Sequence, residues 1–358
     1  MADQPTIYDV ARAAGVAPST VSRAFSRPGR VNAETAQRIR QVAEALGYRA
    51  NPLARALTTH RTQMVALVIS DITNPFYFEI IRGAEHAASA AGYTMVLSDT
   101  QESDRLERLA LERVMNTVDG FVLASSRLSD SAIRMVAKQK PMVVLNRPVG
   151  GVPSVVPDIP RGTRRAMEHL GELGHDTITY VAGPEASWAD GMRWRSALEA
   201  AHELELRVRR IGPYLPTVAA GEEAARKLAK APTTAVLAYN DQVAMGLMRG
   251  LARLGASVPR DVSVVGFDNI LPAELVTPTL TTVGAPLRSM GGTAVTNLIA
   301  YIGGATRGSS QPVVLPTRLV VRDSTAQRRR KRTSPAWGTT NVSGSASKAA
   351  TSTSRGSR

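Results

Sequence analysis

No cysteine occurs anywhere in the 358 residues of this chain. That absence excludes disulfides, thiolate nucleophiles and zinc sites built on sulfur ligands. No apolar run reaches the length of about 18 residues that a transmembrane helix needs, so no membrane partner is expected. The opening MADQPTIYDV has neither the basic segment nor the apolar segment of an export signal, which points to a cytoplasmic location. Acidic residues are missing from 325–358, which hold eight Lys plus Arg. Residues 1–61 hold nine Arg against four acids, so the long middle carries almost none of the net charge of +14. A polyanionic partner is therefore expected at the two ends and not across the body. The length exceeds one small domain and allows a large buried core.

The basic beginning has a pattern. Thr6 is placed to cap a first helix, with Asp9 three residues on as a capping-box acid. Gly15 supplies a turn that needs positive φ. Pro18 suits the first turn of a second helix, where its missing N–H costs nothing. That helix offers Ser19, Thr20, Ser22 and Arg23 as polar groups, with Val21 and Phe25 facing inward. A third helix starts at the cap Asn32, carries Ala36, Ile39, Ala43 and Leu46 on one face, and stops at Gly47. Three short helices with a small polar second one describe a helix-turn-helix, whose second helix meets base edges.

Beyond residue 61, apolar strand-like runs alternate with helical patterns at the spacing of βαβ units. The runs are 64–70, 94–99, 120–125 and 142–146, then 177–183, 235–240 and 262–268. Runs that are apolar on both faces imply parallel strands covered by helices on each side. Two such sets imply an α/β body of two doubly wound lobes.

The segment from Thr6 to Tyr48, with TVSRAF and the following NPLARAL (51–57), resembles the headpiece and hinge of the lac/gal repressor family. The likeness continues to about Ser324. It implies a helix-turn-helix domain over 1–50, a hinge helix and linker over 51–61, and an effector-binding and dimerisation body over 62–324. That body would have the type I periplasmic-binding-protein fold, with three chain crossovers between its lobes. Residues 325–358 read as a disordered basic tail. On this likeness the DNA-contacting set is Pro18, Ser19, Thr20, Ser22 and Arg23 on the second helix. Thr6, Tyr8, Arg30 and Asn32 are phosphate contacts, partly through helix N-termini. Ala54 and Leu57 are minor-groove elements of the hinge, Leu57 wedging a base step. Two alternatives stay open: Tyr8 could be a core ring, and Arg23 could meet a guanine edge or a phosphate. Ala17 stands where relatives often carry a capping Ser and Pro18 replaces a longer side chain, so direct readout there should be poorer.

Ligands of open parallel sheets bind beyond the carboxyl ends of the strands. That rule selects Asp71, Asn74 and Phe76 after the first strand, Asn146 after the fourth, and Trp188, Arg193, Asn240 and Asp268 in the second set. Carboxylates, amides, an arginine and rings suit a sugar or related polyol in the interlobe cleft. The family likeness makes Arg193, Asn240 and Asp268 the most dependable, and Leu287, at a position aromatic in the lac repressor, argues for a different ligand. Trp188 is a stacking ring or a structural one, and Asp241 ranks lower because it could cap the next helix. His169 and His175 lack metal-like spacing and read as structural.

The expectation is a sequence-specific regulator, most simply a repressor, binding a pseudo-palindromic double-stranded operator as a homodimer and controlled by a small effector. No leucine heptad marks a tetramer, and that question stays open. No cofactor, metal or catalysis is expected, because no nucleophile–base pair or phosphate loop joins the cleft residues. A free solute receptor would need export.

Overall fold

A computed structural model describes residues 5–26, 29–48, 61–305 and 311–329. Three helices open it: α1 (Ile7–Ala14), α2 (Pro18–Ser26) and α3 (Ala33–Ala45). Gly15 takes φ +63° and its N–H closes α1 onto Ala11 and Arg12 carbonyls, which only a residue tolerant of left-handed backbone does without strain. Asn32 caps α3 by accepting the Glu34 N–H at 2.9 Å, a contact worth about 1 kcal/mol. Val10, Ala14, Val21, Ala24, Ile39 and Ala43 form the small core, with Phe25 and Tyr48 packed at its edge. Leu46, expected on the buried face of α3, is 41% exposed. The helix ends at Ala45, and Gly47 (φ +69°) turns the chain so that Tyr48, not Leu46, covers Phe25.

The body forms two compact units, Met1–Pro157 with Pro286–Leu315, and Asp158–Ala285 with Pro316 onward. The chain therefore changes unit three times, as the family likeness implied. The first unit runs β1 (Met64–Ile69), α4 (Phe76–Ala90), β2 (Thr94–Asp99), α5 (Asp104–Val114), β3 (Gly120–Ala124), α6 (Asp130–Gln139), β4 (Met142–Leu145) and β5 (Ser154–Pro157). The second follows with α7 (Ile159–Glu172), β6 (Thr177–Val181), α8 (Trp188–Glu203), β7 (Arg207–Ile211), α9 (Val218–Ala229), β8 (Ala235–Ala238), α10 (Asp241–Arg253), β9 (Ser263–Asp268), α11 (Pro272–Leu275) and β10 (Thr281–Gly284). Then α12 (Leu287–Ile302) and β11 (Val313–Leu315) rejoin the first unit, and β12 (Arg318–Val320) the second.

Each unit holds a six-stranded sheet, ordered β2-β1-β3-β4-β5-β11 and β7-β6-β8-β9-β10-β12. All neighbours are parallel except β10 with β12. The order reverses beside β1 in one sheet and beside β6 in the other, which defines a ligand-side crevice at the carboxyl end of each. Buried rows on β3 and β4 and on β6 and β8 are continuous rather than alternating, as helices on both faces require.

Two helix pairs touch backbone to backbone through glycine. A methyl on Gly83 (α4) would lie 1.9 Å from the Arg288 carbonyl oxygen of α12, and one on Gly291 would lie 2.1 Å from that of Ile80. In the second unit, a methyl on Gly246 (α10) would lie 1.9 Å from the Val218 oxygen of α9, and one on Gly221 would lie 2.2 Å from that of Val243.

The tail boundary moves. Residues 325–329, assigned from composition to a disordered tail, are bonded into the second unit through Thr325, Ala326 and Arg328. His169 and His175 receive this segment, which accounts for both as structural residues.

Candidate functional site

In the headpiece, the backbone N–H of Thr6 and its hydroxyl both donate to Asp9 Oδ2, at 2.9 and 2.6 Å. Those two donors hold the Asp9 carboxyl below the usual carboxylate range. Thr6 is therefore engaged by its own helix start, while remaining exposed. Pro18 opens α2, and the carbonyl of Ala17 takes the N–H of Thr20 at 2.8 Å, so backbone replaces the missing serine cap. Along α2, Val21 and Ala24 are buried, Ser19 and Arg23 are exposed, and Pro18, Thr20 and Ser22 are half-buried. Helical spacing thus divides α2 into a core face and a polar face. Arg30 and Asn32 are exposed before α3. Tyr8 is 66% exposed, so it is not a core ring. Ala54 and Leu57 lie outside the described residues.

In the first unit, Asp71 follows β1 and accepts from the Thr73 N–H and hydroxyl, at 2.9 and 2.7 Å. Asn74 accepts from the Phe76 N–H at 3.0 Å and starts α4, while Phe76 is buried edge-on against Tyr77. Asn146 follows β4 with φ +72°, and its amide donates to Ser125 Oγ at 2.9 Å. Its buried carbonyl oxygen has no partner. Its neighbour Arg147 is committed to Asp130 and to the carbonyls of Ser126 and Leu128.

In the second unit, Arg193 on α8 is 5% exposed. It donates to Asp268 Oδ1 at 3.0 Å and to the carbonyl of Tyr239. Its guanidinium lies 4.3 Å from the Phe267 ring centroid and 5.0 Å from that of Tyr239. The Nε is buried without a partner. Burial works against the Arg193 charge, but Asp268 together with the Tyr239 and Tyr180 hydroxyls outweighs it, and the pKa is raised. Burial pushes the Asp268 carboxyl up to about 6, against the pull of Arg193. Asp190 orders the loop that delivers α8, accepting from Tyr180 Oη, the Gly183 N–H and Arg210 at 2.8, 2.6 and 2.6 Å. Trp188 is half-buried at the first position of α8.

Asn240, not Asp241, caps α10, by accepting the Val243 N–H at 3.0 Å. Asp241 is fully buried and accepts from Thr282 Oγ1 at 2.5 Å and the Ile270 N–H at 2.9 Å. Burial, then the Asp268 charge, raise its carboxyl well above the ordinary range.

Among the described residues, Gln63 before β1 and Glu205 before β7 take positive φ, and the other non-glycine cases follow strands. Gln101, Glu102, Ser125, Asn146, Asp268 and Asn269 all adopt it, each at the carboxyl end of a strand. Such residues cost on the order of 1–3 kcal/mol apiece and gather where a site is held in a set geometry. Among the described residues no cluster of His, Asp and Glu could hold a metal ion.

Two family profiles match the chain: bacterial regulatory proteins of the lacI family over residues 6–51, and a periplasmic binding protein-like domain over residues 167–325. The transcriptional regulator DegA of Bacillus subtilis (strain 168) is 35% identical over 90% of this chain and 98% of its own length. This chain belongs to the LacI family.

Solved LacI-family structures share its fold. A lac repressor dimer bound to operator and the anti-inducer ONPF has a TM-score of 0.81 at 26% identity, covering 90% of this chain and all of that one. A LacI-family regulator from Enterococcus faecium with bound ribose has a TM-score of 0.67 at 32% identity, covering 74% and 100%. As a LacI-family member the protein is a DNA-binding transcriptional regulator and not an enzyme. Among the described residues no helix is long and apolar enough to cross a membrane.

Sequence reasoning passed over Ser125, Tyr239 and Phe267. Tyr239 and Phe267 were visible beside the chosen Asn240 and Asp268, in AVLAYN and VVGFD, and Ser125 ends the third apolar run, GFVLAS. Their involvement needed side-chain directions, which a one-dimensional pattern does not contain.

The raised carboxyl of Asp268 gives a pH test. An Asp that titrates near 3.9 when unfolded and near 6 when folded binds more protons in the native state between those values. Its contribution to stability therefore rises as pH falls through about 6 toward about 4. The melting temperature of the native protein minus that of Asp268→Asn should increase from pH 7 to pH 5. Parallel melting curves would contradict the assignment.

Proposed function

We propose that this LacI-family protein is a repressor that binds a pseudo-palindromic operator as a homodimer and answers to a small polyhydroxylated effector, a sugar or related polyol. The observation that carries the effector reading is the buried Arg193–Asp268 pair at the strand ends, framed by the Phe267 and Tyr239 rings. A charged donor, a charged acceptor and two ring faces form a set suited to bind vicinal hydroxyls and the apolar face of a pyranose or furanose. In the second unit Trp188 and Asn240 join this pair; in the first, Asp71, Asn74, Phe76 and Asn146, whose side-chain carbonyl oxygen has no partner, are the candidate effector contacts. The bound ribose of the Enterococcus faecium relative supports this class of ligand. Ligand must bind the operator-bound and free states unequally to act at all, and induction is the sign we adopt.

On DNA, Ser19, Thr20 and Arg23 read bases, with Pro18 and Ser22 beside them on α2. Thr6, Tyr8, Arg30 and Asn32 hold phosphates, and Ala54 and Leu57 enter the minor groove. The exposed Arg23 on the polar face of α2 supports the readout. Arg23→Ala should relax operator preference by about 1–3 kcal/mol, whereas Arg30→Ala should weaken all duplexes about equally. Binding-site selection followed by titration of operator and random duplex distinguishes the two. Uniform losses for both variants would remove Arg23 from base readout. A thermal-shift screen of sugars and nucleosides tests the effector class, and a hit confined to nucleosides would replace the sugar.

A further inference from the structure

Within the second unit, α7 and the edge strand β12 border a cavity of about 300 Å³. Arg161 and Arg165 stand one turn apart on α7, Arg318 opens β12, and all three are exposed. Gly162 lets the two elements lie close, since a methyl there would come within 2.5 Å of Val283 Cγ1 and 2.7 Å of Thr317 Oγ1. Thr317 ties them again by donating its hydroxyl to the Asp158 carbonyl at 2.7 Å. The three arginines, Thr317 and the half-buried Leu319 line the cavity, and Glu172 lines it farther along α7.

Charge is out of balance at the arginine end. Among the described residues neither Arg161 nor Arg318 pairs with a carboxylate, and Arg165 shares Glu168 with Arg164, at 3.1 and 2.8 Å. Like charges at i and i+4 on a helix repel. The first turn of α7 holds no acid, so Arg161 also stands against the positive end of the helix dipole. Asp158 caps that turn by accepting the Arg161 N–H at 3.1 Å and makes no ion pair with the guanidinium. His169 adds no cation near neutral pH, because burial lowers its pKa against the pull of Glu172. A bound anion would relieve this repulsion. We infer that the cavity is a second ligand site, for a small phosphate monoester. Arg161, Arg165 and Arg318 hold its dianion, and its organic body lies against Leu319.

Guanidinium forks offer paired N–H donors, and a tetrahedral dianion has enough oxygens to engage more than one of them at once. A carboxylate would occupy one fork and leave the others facing each other. The volume stands at the lower end of the range of about 300–1,000 Å³ for small-molecule pockets, which favours a metabolite-sized ligand. Glu172 makes the far end repulsive to a second anionic group, so a bisphosphate extended along α7 would be rejected. The site includes no residue of the effector or operator sets, so it stands if no sugar binds.

The test titrates phenyl phosphate and inorganic phosphate calorimetrically into the full chain, into Arg161→Gln/Arg318→Gln and into Arg193→Ala. Both substituted arginines of the double variant are exposed and without an ion pair, so its melting temperature without probe should hold or rise. The full chain should bind phenyl phosphate more tightly than inorganic phosphate. The double variant should lose roughly tenfold or more in affinity for both, and Arg193→Ala should bind both as the full chain does. No saturable heat from the full chain up to about 10 mM phenyl phosphate overturns the inference, and so does equal affinity in the double variant. The phosphates of DNA are the other source of this chemistry. A random-sequence duplex titrated by fluorescence anisotropy should bind the full chain and the double variant equally. A loss of duplex affinity in that variant, with no heat from phenyl phosphate in the full chain, assigns the arginines to the DNA backbone and overturns the small-ligand site.

Discussion

Arg193→Ala should abolish the thermal response to the effector while leaving a folded protein that still binds operator. The guanidinium is buried, so removing it deletes a charge-assisted donor and two cation–ring contacts together. Truncating one partner of such a pair costs about 2–5 kcal/mol of binding, which is a loss of roughly 30-fold to a few thousand-fold in effector affinity. The fold should survive because Asp268 has an escape. Its carboxyl already stands near 6, and losing Arg193 removes the pull that opposes burial, so it protonates more readily. Stability should fall by about 3 kcal/mol or less instead of the full cost of an orphaned charge. Arg193→Lys separates the two roles. A lysine restores a cation for Asp268 but cannot reproduce the planar fork or the ring stacking, so stability should recover and the effector response should not. Calorimetric titration of the effector into all three proteins reads this out. A wild-type response in Arg193→Ala would take the pair out of the effector site.

The second large effect is on the fold. Gly83→Ala and Gly246→Ala should each destabilise their unit by about 3 kcal/mol or more, because the added methyl meets a carbonyl oxygen of the facing helix at 1.9 Å. Neither obstacle is a side chain that can swing away, so the helices must separate and the neighbouring core loosens. Gly191→Ala is the matched control. Gly191 lies in α8 with open space around it, and alanine there should be neutral or stabilising by up to about 1 kcal/mol. Denaturant unfolding of the three variants gives the comparison, and equal effects at Gly83 and Gly191 would refute the close helix contact.

The helix-turn-helix was legible because each of its signals is local. Capping by Asn32, the turn at Gly15 and the inward placement of Val21 depend on residues within a turn or two of one another. The buried strands β1, β3, β4, β6, β8 and β9 were legible for a related reason, since a strand covered on both faces must be apolar throughout. The edge strand β7 hid behind its arginines, and β11 and β12 are three residues each, too short to show a period. An edge strand meets water on one side and needs no apolar run. The tail boundary was misread because Thr325, Ala326 and Arg328 anchor by hydrogen bonds and an ion pair, and composition takes such a polar, basic stretch for loop.

The sequence by itself determined the headpiece, the alternation of strand and helix, the uneven charge and the polar residues at the strand ends. Periodicity, capping and composition act over a few residues and are written along the chain. Only the tertiary structure decided which strands neighbour which, that α12 returns to pack on α4, and that Asn240 caps while Asp241 is bonded to Thr282 and Ile270. It also decided that Arg193 meets Asp268, 75 residues away. Those outcomes depend on burial, which no residue has until distant segments close around it.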